Sequence, residues 1–237
     1  MYNLLLALAA GAVVFGLTAV ALSPIAGVLP AAIVVGGTLY ALGRRTNAVV
    51  QAELAGVGPL LQQRKIDEAV ALLEGVKARH GQWQFLLSGQ IDAQVGLLDY
   101  LQMKWDTARP KLEAGKWRNW TALVCLGAID YRQGRKAEAW KRFAEAADAA
   151  PNEILVYQVW ATLQVRDGLR KEALEAVARG LEANKDHAAL KDLQSRIANQ
   201  KKIDTGAFGE NWFQFFPEDM MKQAVMRGRK GAAPGGP

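Results

Sequence analysis

The sequence predicts an all-α chain, with an N-terminal transmembrane helical hairpin followed by an α-solenoid of about four helix-turn-helix repeats and a capping helix. Two observations carry that prediction. Residues 1–43 contain no Asp, Glu, Lys, Arg or His, so all 29 basic and 23 acidic side chains of the 237-residue chain lie beyond them, along with its formal net charge of +6. Further on, a pattern of apolar and small residues returns after 34 residues with its intervals kept.

The uncharged stretch divides at Ser23-Pro24 into residues 4–22 and 25–42. Each half is close to the ~20 residues a helix needs to cross about 30 Å of hydrocarbon. A two-pass hairpin over residues 1–45 is the leading reading. Pro30 leaves open one crossing plus a re-entrant or interfacial segment, since it shortens the uninterrupted part of the second helix. A cleaved signal peptide fits less well, because Met1-Tyr2-Asn3 lacks the basic start. Arg44-Arg45 are the first cationic side chains and directly follow the second apolar segment. Cytoplasmic flanks collect Lys and Arg, so the expectation is an inner-membrane protein of bacterial type with both the N-terminus and the soluble part cytoplasmic. A single-pass form with a periplasmic domain is the alternative. The absence of ionisable groups inside the spans argues against a transport path. Gly11, Gly16, Gly27, Gly36 and Gly37 allow close helix approach.

Residues 46–203 hold the repeats. Leu123, Leu126, Gly127, Gly134, Ala139, Phe143, Ala146 and Pro151 return 34 residues later as Tyr157, Trp160, Ala161, Gly168, Ala173, Val177 and Gly180, with only the proline lost. Gly127 and Ala161 are small where two helices cross. Gly134 and Gly168 end a first helix, where a residue free to take positive φ satisfies the last carbonyls. Ala139, Phe143 and Ala146 share one face of a second helix. This pattern resembles the tetratricopeptide repeat family, whose 34-residue helix-turn-helix units stack into a superhelix.

Two weaker copies extend the array upstream. Phe85, Ser88, Gly89, Gly96, Leu101, Trp105 and Ala108 keep the same intervals, which puts a turn at Gly96 and four extra residues in the loop near residues 113–119. Ala69, Leu73 and Val76 match the second-helix face of a first copy, whose opening helix would span residues 48–62 and be weakened by Gly56, Gly58 and Pro59. Residues 188–200 read as an amphipathic capping helix with Leu190, Leu193 and Ile197 on one face.

Catalysis is not expected, and no cofactor or metal site is. A P-loop, a nucleophile elbow, an HExxH and a dinucleotide fingerprint are all missing from the sequence. The single cysteine, Cys125, sits among apolar helix residues and reads as a small buried hydrophobe. Asp130 and Asp167 read as a solvated face. Nucleic-acid binding is a poor explanation of the charge, which is spread along the repeats.

The resemblance implies protein partners held along the surface formed by the first helices. Carried onto this sequence, it places Trp83, Leu86, Gln90 and Gln94 there in the second copy, Val124, Ala128, Tyr131 and Arg132 in the third, and Gln158, Thr162, Val165 and Arg166 in the fourth. The Lys and Asn side chains with which part of the family grips a C-terminal carboxylate are mostly replaced by Gln, Ala and Val. Arg132 and Arg166 either contact an acidic ligand or remain solvated and pair locally with Asp130 and Asp167.

Residues 204–226 depart from the repeat, with Phe208, Trp212, Phe213, Phe215 and Phe216 crowded before Pro217. Something should cover so dense a set of aromatics. Three coverings are open: the chain's own array, a partner that Trp212, Phe213 and Phe216 would contact, or the membrane interface. A short helix is expected over residues 218–226. Residues 227–237 begin with the basic Arg227-Gly228-Arg229-Lys230 and run into a Gly/Pro/Ala tail that reads as disordered and suited to touch anionic headgroups. The function expected is a membrane-anchored scaffold or adaptor that recruits or assembles other proteins. The alternative is a structural subunit of a larger membrane complex, held mainly through its hairpin.

Overall fold

The computed structural model describes residues 1–83, 86–208 and 210–219, and every described regular element is helical. Phe85, Gly209, most of the helix expected over residues 218–226, and the basic and Gly/Pro tail lie outside the described residues. The chain divides into two compact units, Met1–Val95 and Gly96–Pro237.

In the first unit, α1 (Tyr2–Ala21) and α2 (Pro24–Leu54) form an antiparallel hairpin. Ser23 caps α2 by accepting the Ala26 N–H at 3.3 Å, and Pro24 occupies the first helical position, where no N–H is needed. Pro30 lies inside α2 without ending it. The buried residues Asn3, Ala7 and Gly11 are four apart and so share one face of α1. A Cβ on Gly11 would collide with Val35 Cγ2, and one on Gly27 would fall 2.7 Å from Thr18 Oγ1, so these two glycines permit the close approach. Gly16, Gly36 and Gly37 have no such neighbour. Outward-facing side chains are bare: Val20 is 91% exposed, Ile25 88% and Leu29 70%.

α2 does not stop at Arg44-Arg45. It continues to Leu54 and carries Glu53 to α4 (Ile66–His80), where Arg79 Nη2 lies at 2.5 Å and His80 Nε2 at 2.9 Å from its carboxylate. The Arg79 hydrogen bond, then that of His80, holds the Glu53 carboxyl below the usual carboxylate range. The helix expected over residues 48–62 is therefore broken at Ala55-Gly56, with α3 (Val57–Gln62) following. Ala69, Leu73 and Val76 are the buried face of α4, as their spacing predicts.

α5 (Leu87–Leu101) contributes residues to both units. The second unit continues with α6 (Trp105–Gly115), α7 (Trp120–Arg132), α8 (Lys136–Ala149), α9 (Ile154–Arg166), α10 (Arg170–Ala183) and α11 (Ala188–Ala198). A 3₁₀ turn, Thr205–Phe208, then precedes α12 (Glu210–Phe215). Asn119 caps α7 by accepting the Ala122 N–H at 3.1 Å. α11 buries Leu190, Leu193 and Ile197.

One turn recurs between the two helices of every repeat. The N–H groups of Lys65, Lys104, Arg135 and Leu169 each donate, at 2.9 Å, to the carbonyl five residues back, on Leu60, Asp99, Asp130 and Gln164. The residue before each donor takes positive φ: Arg64 at 60°, Met103 at 60°, Gly134 at 77° and Gly168 at 81°. This is the six-to-one bond of a Schellman C-cap. The second copy thus turns at Met103, seven residues after the expected Gly96. Gly96 instead sits where α5 crosses α6, with a Cβ there 2.9 Å from Leu112, and the second-helix face is Ala108, Leu112 and Gly115. The extra length lies between α4 and α5, not near residues 113–119.

Cys125 is buried, and burial pushes its thiol pKa up. Asp130 is buried too, contrary to its reading as a solvated residue. Its Oδ1 accepts from Arg109 Nη1 at 2.7 Å and from Arg135 Nε and Nη2 at 2.9 and 2.7 Å, tying α6 to α7 and to the turn that follows.

Candidate protein-binding groove

The first helices of the third and fourth repeats, α7 and α9, present a face on which α12 lies. Arg132 ends α7, Arg166 ends α9, and Tyr100 is the next-to-last residue of α5. With the second copy in its true register, Tyr100 corresponds to Tyr131 of the third.

Arg132 organises the site. Its Nη1 donates to the Tyr100 hydroxyl at 2.7 Å, and its Nη2 to the Phe215 carbonyl at 2.6 Å. Nε and Nη2 form a fork on the Glu218 carboxylate at 2.8 and 3.0 Å. The guanidinium carbon lies 4.7 Å from the Trp105 ring centre and 4.8 Å from that of Phe216. Planar, weakly hydrated and permanently charged, an arginine suits such stacked, forked contacts. The Tyr100 hydroxyl also donates to the Phe215 carbonyl, at 2.6 Å, and burial pushes its pKa well above the ordinary tyrosine value.

Trp212 and Phe216 stack with ring centres 4.5 Å apart, Phe208 packs on Trp212 at 5.7 Å, and Phe215 meets Trp120 at 6.2 Å. Trp212, Phe215 and Phe216 are buried and Phe213 is half-buried. Arg166 reaches the same segment, 5.2 Å from the Trp212 ring centre and 3.4 Å from Asp219, which also accepts the Trp212 indole N–H at 3.1 Å. The aromatic segment therefore docks on its own array. The two arginines contact it: Arg132 is largely covered, Arg166 stays partly open to solvent, and neither pairs with Asp130 or Asp167.

The other expected contact residues separate. Tyr131 donates to Asp167 at 3.1 Å, which also holds Lys136 at 2.8 Å, and burial followed by the Asp167 bond raises its phenol pKa to about 12. Gln158 is buried in α9. Trp83, Gln90 and Gln94 are exposed, the two glutamines on α5, and all three fall in the first unit; the register used to place them was displaced. Tyr100, Trp105, Glu218 and Asp219 escaped the sequence reading. The recoverable signal was the Tyr100/Tyr131 correspondence, hidden by counting from the wrong glycine.

No protein-family model matches the sequence, and no curated protein does. Solved structures that resemble it include pilF of Pseudomonas aeruginosa, 16% identical, covering 81% of this chain and 95% of that one with a TM-score of 0.50. MamA is 18% identical, covering 65% and 91% with a TM-score of 0.48. A MamA mutant is 23% identical, covering 61% and 78% with a TM-score of 0.45. The likeness to pilF is one of fold, an all-α array of the tetratricopeptide type.

Proposed function

We propose that this tetratricopeptide-type chain is a non-enzymatic, membrane-anchored scaffold that binds proteins through the face of α7 and α9. Its own residues 210–219 are the resident occupant of that face. The observation that carries the reading is the Arg132 cluster, which holds a peptide by a backbone carbonyl, a carboxylate and an aromatic ring together. A partner segment that pairs two aromatics with a following acid satisfies the same groups.

Membrane anchoring is supported by two apolar helices, with mean hydropathy 2.4 and 2.0, whose outward side chains are bare of protein. A core helix of a soluble protein passes the same hydropathy test but covers those side chains. With Arg44-Arg45 at the exit, both termini are cytoplasmic. Reporters fused before Met1 and after Pro237 should both be active in the cytoplasm. Periplasmic activity of the second replaces the hairpin with a single anchor.

The groove is tested with a labelled peptide of residues 210–219 titrated into the full chain in mild detergent. A Trp212→Ala/Phe216→Ala variant, whose own segment is loosened, should bind the peptide saturably, and adding Arg132→Ala should abolish binding. Absence of binding to a loosened variant that keeps its helicity rejects the scaffold reading. A second reading is favoured by the occupancy itself: residues 210–219 form a permanent cap and the chain is a structural subunit held through its hairpin. On that reading, exchanging residues 4–42 for an unrelated hairpin releases the partners, and Arg132→Ala does not.

A further inference from the structure

The first unit contains a second candidate site, on the side from which both hairpin helices emerge. The first turn of α1 is held by backbone carbonyls: the Met1 nitrogen and the Tyr2 N–H donate to Gln82, and the Asn3 N–H donates to Trp83. Beside it lies a cavity of about 380 Å³, lined on its polar side by Asn3, Arg45 and Arg79 and on its apolar side by Leu42, Val49 and Trp83.

Two groups there are unanswered. Asn3 is only 6% exposed, and although its Nδ2 donates to Thr46 Oγ1 at 3.1 Å, its Oδ1 is buried with no partner. A buried acceptor without a donor is unfavourable and is satisfied by a group that supplies an N–H or O–H. Arg79 is spent on Glu53, whereas Arg45 has no ion pair among the described residues. The cavity thus offers one solvent-exposed cation without an ion pair and one buried acceptor above an apolar wall. Tyr2 and Trp83, in edge contact at 5.4 Å, are of the kind that gathers at headgroup depth.

The geometry points to a phospholipid headgroup site that takes phosphatidylethanolamine, with the phosphate on Arg45, the primary ammonium donating to Asn3 Oδ1, and the glycerol end against Leu42, Val49 and Trp83. This rests on the hairpin lying in a membrane. The cavity falls in the size range of small-ligand sites, about 300–1,000 Å³. Phosphatidylcholine brings the same phosphate but no N–H, so it meets the cation and leaves the acceptor orphaned.

The test uses the full chain in nanodiscs of phosphatidylcholine doped with phosphatidylethanolamine or phosphatidylglycerol, with lipid retained after transfer to detergent counted by native mass spectrometry. Wild type should retain phosphatidylethanolamine about tenfold over phosphatidylcholine, the ratio that one recovered hydrogen bond of about 1.4 kcal/mol gives. Asn3→Ala should remove that preference while leaving phosphate retention, and Arg45→Gln should lower retention of both lipids. Equal retention of the two lipids by the inserted wild type, or an Asn3→Ala preference unchanged from wild type, overturns the site. Retention of phosphatidylglycerol at the level of phosphatidylethanolamine overturns the ammonium assignment. A chain that an alkaline carbonate wash strips from native membranes overturns the membrane reading and the site with it. Insertion without lipid preference removes the site alone.

Discussion

Truncating Arg132 isolates the docking of the C-terminal segment from the stability of the array, because most of what Arg132 touches belongs to that segment. Its side chain is 18% exposed, and it loses two bonds to Glu218 and one to the Phe215 carbonyl. Bonds to charged groups contribute about 1.5–3 kcal/mol each when buried. Two features lower the total here. Glu218 is 30% exposed and so recovers water, and the Phe215 carbonyl still accepts from Tyr100. The cost is therefore about 3 kcal/mol, the low end for breaking a buried ion pair. At about 1.4 kcal/mol per factor of ten, the docked segment should open on the order of 100-fold more often. Amide exchange of residues 210–219 in the detergent-solubilised full chain reads this directly: Arg132→Ala should accelerate it on the order of 100-fold, with α9 and α10 unchanged. Arg132→Lys should fall between, since an ammonium cannot form the fork. Arg166→Ala should change exchange by less than tenfold, because its contact with Asp219 is at 3.4 Å and the arginine is 41% exposed. Exchange at the wild-type rate in Arg132→Ala, or in Arg132→Lys, would refute the reasoning.

The recurrent turn makes two opposite predictions. Met103→Gly should stabilise by about 1 kcal/mol, because a non-glycine residue in the left-handed region costs about 1–2 kcal/mol, and Gly134→Ala should destabilise similarly, as nothing lies within 4 Å of an added Cβ and the penalty is backbone alone. Thermal melts of the full chain should move a few degrees up and down respectively, and a shift of the same sign in both would refute the turn assignment. Glu53 gives a pH dependence: its folded pKa is depressed, so its contribution is complete above the unfolded carboxylate value, about 4 to 4.5, and is lost as pH falls through the folded one. Melts between pH 6 and 3 should therefore fall less steeply for Glu53→Gln than for wild type, and parallel curves would count against the α2–α4 pairing.

Much of the architecture was legible because it is written in residue size and period. The charge-free stretch, Gly134 and Gly168 at their turns, and the Ala139, Phe143 and Ala146 face all stand where their chemistry requires. The second copy was misread because its turn uses Met103, which no propensity marks, while Gly96 answers a packing need that looks identical in sequence. The end of α2 was misplaced for a related reason: Arg44-Arg45 change the solvent a helix meets, not its backbone preference, so the helix continues. The groove was half legible. Arg132 and Arg166 were visible as a pair one repeat apart, but their partners Glu218 and Asp219 lie 86 and 53 residues away, and local spacing says nothing about a segment folding back that far.

Beyond Pro30, α2 runs on unbroken to Leu54 as a shaft without a further proline. Each residue along it adds about 1.5 Å of rise and a rotation of about 100°. The azimuth of Val35 against Gly11 therefore fixes the azimuth of Glu53 against Arg79 and His80. A rotation of the hairpin about its long axis is thereby coupled along α2 to α4. One residue inserted after Arg45 puts these two contacts out of phase by more than a quarter turn, whereas seven restore the phase to within about 20° and lengthen the shaft by about 10 Å. Phase along this helix, more than its length, is the quantity that the first unit holds constant.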